Sequence, residues 1–300
     1  MTDNSTTLRM RSWLFAPGDS EKKMAKAADG PADIVLLDLE DSVMPEGKPA
    51  ARELVSGFLA SRDDRHRLWV RVNPLPSGEI ERDLEAIMGA APGGIMLPKA
   101  EGRDDIVALD ALLSAHEARH SLMPGSTRVA ALVTETPKAM FHCGDYSGDY
   151  PGSCRLVAMS WGAEDLSSAL GARVQHRPDG SYMPMYEMAR NFCLLGAVAA
   201  EVMPIETVMP EFRDLDKLAE RAAMVRGQGY RGMLAIHPAQ VEPINRAFTP
   251  DADEIAHARA IVQAFADNPG AGTVGLNGAM VDLPHLKLAQ RLLAEAGMQD

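Results

Sequence analysis

Charged side chains recur within or directly after short apolar runs of this 300-residue chain, where they could bind a metal ion or an oxygen-rich substrate. They include Glu40, Asp41, Arg71, Lys99, Glu135 and Asp165. Crowded carboxylates repel one another unless a cation joins them. Mg²⁺ accepts one or two protein carboxylates and leaves its other octahedral positions to water and substrate oxygens. Any one of these acids could be a solvated loop residue, but the set, with Arg71 inside an apolar run, favours a functional site.

Eight short β-rich runs, each followed by a longer helical stretch, are the elements that must position these charges. They span residues 12–16, 34–39, 68–72, 94–97, 129–134, 156–160, 202–207 and 233–236. The order predicts a closed (β/α)₈ TIM barrel, with an open doubly wound sheet as the alternative. In such a barrel the carboxyl ends of the strands meet at one mouth, so the charged residues would converge there.

The pattern changes after residue 250, which predicts a barrel domain over 1–250 and a C-terminal helical extension over 251–300. The sequence Thr249-Pro250-Asp251 predicts the start of a helix over 251–267. A Gly/Asn-rich stretch follows over 268–278, and a last amphipathic helix is predicted near 284–296.

Composition and charge exclude several classes of function. The 30 Lys and Arg against 42 Asp and Glu give a net charge of −12, which argues against a nonspecific nucleic-acid or membrane-surface binder. The first fifteen residues lack the apolar core of a signal peptide, and the longest apolar run, 193–200, is too short to span a membrane. Three cysteines without C-x-x-C spacing argue against a disulfide framework or a structural zinc site. We therefore predict a soluble, cytoplasmic protein.

Two further motifs are predicted to have no catalytic role. Residues 116–120, HEARH, match the zinc-protease pattern H-E-x-x-H, but they end the helix that leads into the fifth strand. That position is on the rim opposite the mouth, so a solvated helix face is predicted. Residues 270–275, GAGTVG, match G-x-G-x-x-G but follow a helix and open none, which favours a flexible turn.

Eight blocks occur in an order that resembles the citrate lyase β-subunit-like family of the HpcH/HpaI aldolase superfamily. They are RSWLFAPGD (11–19), LLDLEDSV (36–43), VRVN (70–73), LPKA (97–100), ET (135–136), GAEDL (162–166), IHPAQ (236–240) and GAMVDLP (278–284). The resemblance implies a Mg²⁺-dependent barrel enzyme that makes or breaks a carbon–carbon bond between a thioester acyl unit and an α-keto acid.

The resemblance also implies roles for individual residues at the mouth. Glu135 and Asp165 would bind the metal, and through it Glu135 would help hold the substrate. Arg71 would bind the carboxylate or carbonyl oxygen of the keto acid. Glu40 and Asp41 would orient Arg71 or a metal-bound water.

Three residues outside this group complete the predicted site. The resemblance implies that Asp282 matches the C-terminal aspartate of the family, which reaches the site of a neighbouring subunit as general acid or base, and that the protein is a trimer. The alternative for Asp282 is a cap on the final helix, and the two roles are compatible. Lys22 and Lys26 would contact phosphates of the thioester carrier.

The predicted function is a Mg²⁺-dependent carbon–carbon lyase that cleaves or forms a β-hydroxyacyl-CoA such as malyl-CoA or citramalyl-CoA. Its expected partners are an acyl-CoA thioester, an α-keto acid and further copies of the chain in a homotrimer or hexamer. Three alternatives remain open: malate-synthase-like condensation with thioester hydrolysis, a carrier-protein-dependent citrate lyase β subunit, and a non-catalytic binding subunit.

Overall fold

Eight parallel strands form a closed barrel in the computed structural model, which describes residues 8–297. The barrel closes where the first strand pairs with the eighth, with Ser12 opposite Met233. The predicted TIM barrel is confirmed, and the alternative of an open sheet is excluded. The first and last residues of each predicted strand lie within two positions of those observed. The strands are β1 Ser12–Pro17, β2 Ile34–Asp38, β3 Leu68–Arg71, β4 Gly94–Leu97, β5 Arg128–Leu132, β6 Leu156–Ser160, β7 Met203–Glu206 and β8 Gly232–Ala235.

Helices follow the strands and surround them. Their bounds are α1 Glu21–Ala28, α2 Lys48–Ala60, α3 Ile80–Ile87, α4 Arg103–Arg119, α5 Pro137–Met140, α6 Ala163–Leu170, α7 Pro184–Ala199, α8 Leu215–Gln228 and α9 Val241–Ala247. Side-chain caps fix where some of them begin: Thr136 accepts from the Ala139 N–H at α5, and Asp214 accepts from the Lys217 N–H at α8. Within residues 8–297, no helix combines the length and apolarity needed to cross a bilayer.

The interior of the barrel is filled by apolar side chains from alternate strand positions. Trp13 and Trp69 meet edge to face with ring centroids 5.0 Å apart, and Leu36 and Met96 pack in the same cluster. This is the layered packing expected of a (β/α)₈ barrel, whose core is solid rather than open. Polar chemistry is therefore confined to the ends of the strands.

The chain divides into two compact units after Asn245. The second unit contains α10 Ala252–Ala266 and α11 Leu283–Glu295, close to the two helices predicted there. Its own apolar core includes Ile261, Phe265, Val274 and Val281. The unit thus has the buried side chains of a small folded element rather than of a loose tail.

The prediction of a flexible turn over the G-x-G-x-x-G motif, residues 270–275, is wrong for the second half of the motif. Residues Thr273–Leu276 form β9, which pairs antiparallel with β10, Ala279–Asp282. Asn277 and Gly278 join the strands with φ values of 49° and 81°, as a type I′ hairpin turn requires. The glycines of this motif belong to a β-hairpin and to the turn before it, and they do not form a phosphate-binding loop.

The solvated helix face predicted for residues 116–120 is wrong in part, because Ala118 and Arg119 are exposed but two other residues of the motif are not. His116 and Glu117 are buried, with 9% and 1% of their surfaces exposed. Glu117 accepts two hydrogen bonds from the guanidinium of Arg155, at 2.7 and 2.8 Å, and others from the N–H groups of Gly125 and Thr127. These partners precede β5 and β6, at the end of the barrel opposite the mouth. The motif therefore forms a structural ion pair, and no metal-binding group of three His, Cys, Asp or Glu side chains occurs among residues 8–297.

Substitution of Glu117 by Gln is expected to lower the free energy of unfolding at pH 7 by about 3 kcal/mol, because it leaves the buried charge of Arg155 uncompensated. Burial favours the neutral carboxyl, but the bonds from Arg155, Thr127 and Gly125 outweigh it and lower the pKa of Glu117 to about 2. Its stabilisation is therefore complete above its ordinary pKa near 4.5 and is lost as the pH falls towards 2.

Urea unfolding at pH 7 and at pH 3 measures both effects, and the gap between wild type and variant should narrow at the lower pH. Arg119→Gln is the matched control, since Arg119 pairs with Glu85 at the surface and exposed pairs contribute little. Equal stabilities of the wild type and Glu117→Gln at pH 7 would contradict the assignment.

Candidate active site

Arg71 is held at the mouth of the barrel by the strand beside it. It ends β3, opposite Asp38 at the end of β2, and its Nε and Nη2 each donate to one Asp38 oxygen at 2.7 Å. Its Cζ lies 4.7 Å from the ring centroid of Phe15. Burial alone would lower the pKa of Arg71, but the charges of Asp38 and Glu40 outweigh it and raise the pKa. The guanidinium is thus charged, planar and fixed in orientation.

Glu40 and Asp41 both face Arg71, at different distances. Glu40 is buried with Oε2 at 2.9 Å from Nη1 of Arg71, whereas Asp41 is largely exposed with Oδ2 at 3.7 Å. Burial outweighs the neighbouring cations and raises the pKa of Glu40. The main partner of Arg71 is Asp38, to which the sequence analysis assigned no role. Burial alone would raise the pKa of Asp38, but Arg71 lowers it.

Lys99 connects the acids of several strands. Its backbone N–H donates to Glu135 Oε2 at 2.6 Å, while its Nζ bonds to Glu40 and lies 3.3 Å from Asp165 Oδ1. The residue has a φ of 53°, a left-handed conformation that is uncommon outside glycine. This backbone geometry aims the N–H and the ammonium of one residue at different carboxylates. The sequence placed Lys99 after the fourth strand, but no sequence signal indicated the conformation.

Glu135 and Asp165, the two predicted metal ligands, come to the same mouth. Glu135 is buried beyond the end of β5, and Asp165 lies in the first turn of α6 with 31% of its side chain exposed. Gly162 precedes α6, and a Cβ there would lie 2.7 Å from Cγ of Glu135. The loop before α6 therefore packs directly on Glu135, which a larger residue would prevent.

The electrostatics of this pair fit a divalent cation. Burial and the nearby charges of Asp165 and Glu40 raise the pKa of Glu135 to about 8, although Arg71 and the Lys99 N–H oppose the shift. A cation between the two carboxylates would relieve this repulsion and favour the ionised form. The part of the chain that the structure describes holds no cluster of three potential metal ligands. Water and substrate oxygens would fill the remaining positions of a Mg²⁺ ion.

The other predicted site residues belong to helix α1 and to the second unit. Lys22 and Lys26 are exposed on α1, one helical turn apart. Asp282 lies in the second unit as the cap of α11, where its side chain accepts from the His285 N–H and contacts the His285 ring. The capping alternative for Asp282 is thus observed. Its role toward a neighbouring subunit stays a prediction.

A (β/α)₈ barrel with carboxylates and a fixed guanidinium at the carboxyl ends of its strands has the organisation of a barrel enzyme. Comparison with known proteins defines the family. Residues 11–238 match the family described as HpcH/HpaI aldolase/citrate lyase. The chain belongs to this family, which confirms the resemblance and the prediction of an enzyme of the lyase and aldolase class.

Relatives and solved structures cover nearly the whole chain. A citrate lyase subunit beta-like protein of Mycobacterium tuberculosis is 33% identical over 288 residues, or 95% of each chain. A (3S)-malyl-CoA thioesterase of Cereibacter sphaeroides is 33% identical over 289 residues, covering 95% of this chain and 94% of its own. The structure of CitE from M. tuberculosis in complex with magnesium, acetoacetate and coenzyme A has a TM-score of 0.79 at 32% identity, covering 96% of this chain and 98% of the other.

Proposed function

We propose that the protein is a Mg²⁺-dependent carbon–carbon lyase that converts a β-hydroxyacyl-CoA, such as malyl-CoA or citramalyl-CoA, into an acyl-CoA and an α-keto acid. The observation that carries the proposal is the convergence of Glu135, Asp165 and Arg71 at one mouth, linked through Lys99. The M. tuberculosis structure with magnesium and coenzyme A supports the same ligand classes for this chain.

Arg71 has the free donors that the keto-acid half requires. Of its five N–H bonds, two donate to Asp38 and one faces Glu40, so one hydrogen on each Nη remains for a substrate oxygen. In the cleavage direction the β-hydroxyl gives its proton to a carboxylate of the mouth, the bond between the α- and β-carbons breaks, and the oxygen becomes the carbonyl of the keto acid. A preorganised guanidinium stabilises the negative charge that develops on this oxygen.

The carboxylates supply the second half of the chemistry. Glu135 and Asp165 would hold Mg²⁺, which when bound acts as a Lewis acid for the carbonyl and carboxylate oxygens of the keto acid. The electron pair of the broken bond moves to the thioester as an enolate, and an acid must protonate its α-carbon. We assign that proton transfer to Asp282 of a neighbouring copy. This assignment requires an assembly of copies, which we propose to be a homotrimer or hexamer. The predicted cytoplasmic location stays a prediction.

A second candidate is hydrolysis of the thioester, with or without prior condensation. The relative named (3S)-malyl-CoA thioesterase favours it. The same mouth would then have to admit a water molecule to the thioester carbonyl. Lys22 and Lys26, exposed on α1, are proposed in either case to contact phosphates of coenzyme A.

Mass spectrometry of the products separates these activities. The purified protein is incubated with malyl-CoA or citramalyl-CoA and Mg²⁺, with a parallel reaction in EDTA. Acetyl-CoA with glyoxylate or pyruvate identifies a lyase, whereas free coenzyme A with the hydroxy acid identifies a thioesterase. Turnover of these free CoA thioesters argues against dependence on a carrier protein. Failure to turn over any member of a wider acyl-CoA panel would favour a non-catalytic subunit and overturn the proposal.

Arg71→Lys is expected to lower kcat/KM by about 10²-fold or more, since lysine keeps the charge but loses the planar fork that Asp38 orients. Steady-state kinetics measure the effect, and isothermal titration should show Mg²⁺ binding close to that of the wild type. Wild-type kinetics in this variant would rule out the assigned role of Arg71.

A further inference from the structure

A cavity in the first unit is lined by none of the carboxylates described at the mouth. It has a volume of about 380 Å³ and is bounded by α7, α8 and the residues between α6 and α7. Its lining includes Arg190 from α7, Arg221 and Lys217 from α8, and His176 and Tyr182 from the preceding segment. This volume is sufficient for a small organic molecule.

An aromatic ring holds the cations of this cavity in place. Cζ of Arg221 lies 4.9 Å from the centroid of the Tyr182 ring, and Cζ of Arg190 lies 6.0 Å from it. The ring of His176 stacks on Tyr182 at 4.4 Å, and Trp161 meets it edge to face at 5.2 Å. The guanidinium groups are therefore positioned before any ligand arrives.

The hydrogen bonds of these cations are incomplete. Nη2 of Arg221 donates to Glu206 and to the Tyr182 hydroxyl, but its buried Nε has no partner. Nε of Arg190 is likewise buried without a partner, and none of the ion pairs described over residues 8–297 includes Arg190 or Lys217. The remaining Nη–H donors of these two guanidinium groups favour a ligand that accepts hydrogen bonds.

The acids around the cavity are paired or lie at the surface. Glu187 bonds to Arg177 at 2.8 Å, and Glu206 is paired with Arg221. Glu211 and Glu220 also line the cavity, but both are exposed at its rim. Solvent screens them from the inner guanidinium groups. Among the described residues, Arg190 and Lys217 are thus the cations of the lining without a paired acid, which favours an anionic group beside them.

We propose that this cavity is a binding site for a small organic oxyanion, separate from the mouth, with the carboxylate or phosphate of the ligand held by Arg190 and Arg221. Guanidinium groups bind both kinds of oxyanion through paired N–H donors. Small carboxylates and phosphate esters share this chemistry, and separate titrations with malonate and inorganic phosphate distinguish them. The site is independent of the lyase proposed above.

Isothermal titration in EDTA tests the proposal with malonate and inorganic phosphate as separate probes at constant ionic strength. The wild type should bind at least one of them, and the stronger identifies the oxyanion class. Arg190→Gln should weaken that binding by about tenfold or more, which corresponds to the loss of one charge-assisted contact. Lys217→Gln, at the exposed rim, should weaken it about threefold without a risk to folding.

Two matched variants keep this site distinguishable from the mouth. Arg173→Gln removes an exposed arginine that does not line the cavity, and Arg71→Lys alters the mouth. Both should bind the probe as the wild type does. Binding that is lost in Arg71→Lys but kept in Arg190→Gln and Lys217→Gln would place the anion at the mouth and overturn the proposal. Absence of binding for both probes in the wild type would also overturn it.

Discussion

Glu135→Gln is expected to abolish Mg²⁺ binding and to reduce turnover by about 10³-fold or more, because it removes one of two charged ligands and with it the Lewis acid. Asp165→Asn should do the same. Folding should survive in both variants. Burial and the neighbouring acids raise the pKa of Glu135 to about 8, so without a cation the carboxyl is mostly protonated at pH 7. A neutral amide therefore replaces a group that is already mostly neutral in the folded protein.

Isothermal titration with Mg²⁺, steady-state kinetics and thermal unfolding in EDTA measure these three properties separately. Glu164→Gln is the control on the same turn of α6, since the Glu164 carboxylate is exposed and bonds to the Gln175 side chain at 2.9 Å. This variant should retain both Mg²⁺ binding and activity. Full activity in Glu135→Gln or Asp165→Asn would refute the assigned metal site.

Asp282→Ala is expected to stop turnover while Mg²⁺ and keto-acid binding persist, because it removes the carboxylate assigned to protonate the enolate. The same change deletes the cap of α11 and should cost about 1 kcal/mol of stability. The two effects need separation, since loss of the cap alone could disturb the second unit.

Asp282→Ser separates them. Serine is a good helix cap but cannot act as the proton donor. Turnover should therefore remain absent in Asp282→Ser while thermal unfolding returns towards the wild-type midpoint. Recovery of activity with the cap would mean that Asp282 acts only in folding. Light scattering of the wild type tests the proposed trimer or hexamer on which this role depends.

The barrel strands could be predicted because each has a short apolar run with a marked end. Burial on both faces produces such runs, and Ile34–Asp38 shows the effect clearly. The hairpin in the second unit was missed because its two strands are only four residues long and five of the ten residues over 273–282 are glycine or polar. The Asn277-Gly278 pair was the available signal, as both residues adopt the positive φ of a type I′ turn.

The residues of the mouth were predictable to the extent that topology places them there. Strand order alone brings Arg71, Glu135 and Asp165 to one end of the barrel. It does not specify that Asp38 rather than Glu40 makes the paired bonds to Arg71, since that depends on the register of β2 and β3. It also does not specify the left-handed backbone of Lys99.

Contacts between segments that are distant in the sequence could not be predicted from local sequence patterns. The burial of Glu117 depends on Arg155, which follows 38 residues later and has no sequence signal that links it to the helix. The guanidinium groups of Arg190 and Arg221 likewise depend on Tyr182, which contacts Arg221 although the two residues are 39 positions apart. Periodicity describes which face of a helix is apolar, but not which buried charge will find a partner.

The position of the Lys99 ammonium between Glu40 and Asp165 has a practical consequence for handling the protein. Part of the negative charge of the mouth is already offset by a side chain, so stripping the protein with a chelator should leave it folded and ready for reconstitution. Manganese, which prefers similar oxygen ligands, could then be introduced as a paramagnetic reporter. The electron paramagnetic resonance signal of Mn²⁺ would report how much metal is bound at the mouth, without an enzymatic assay.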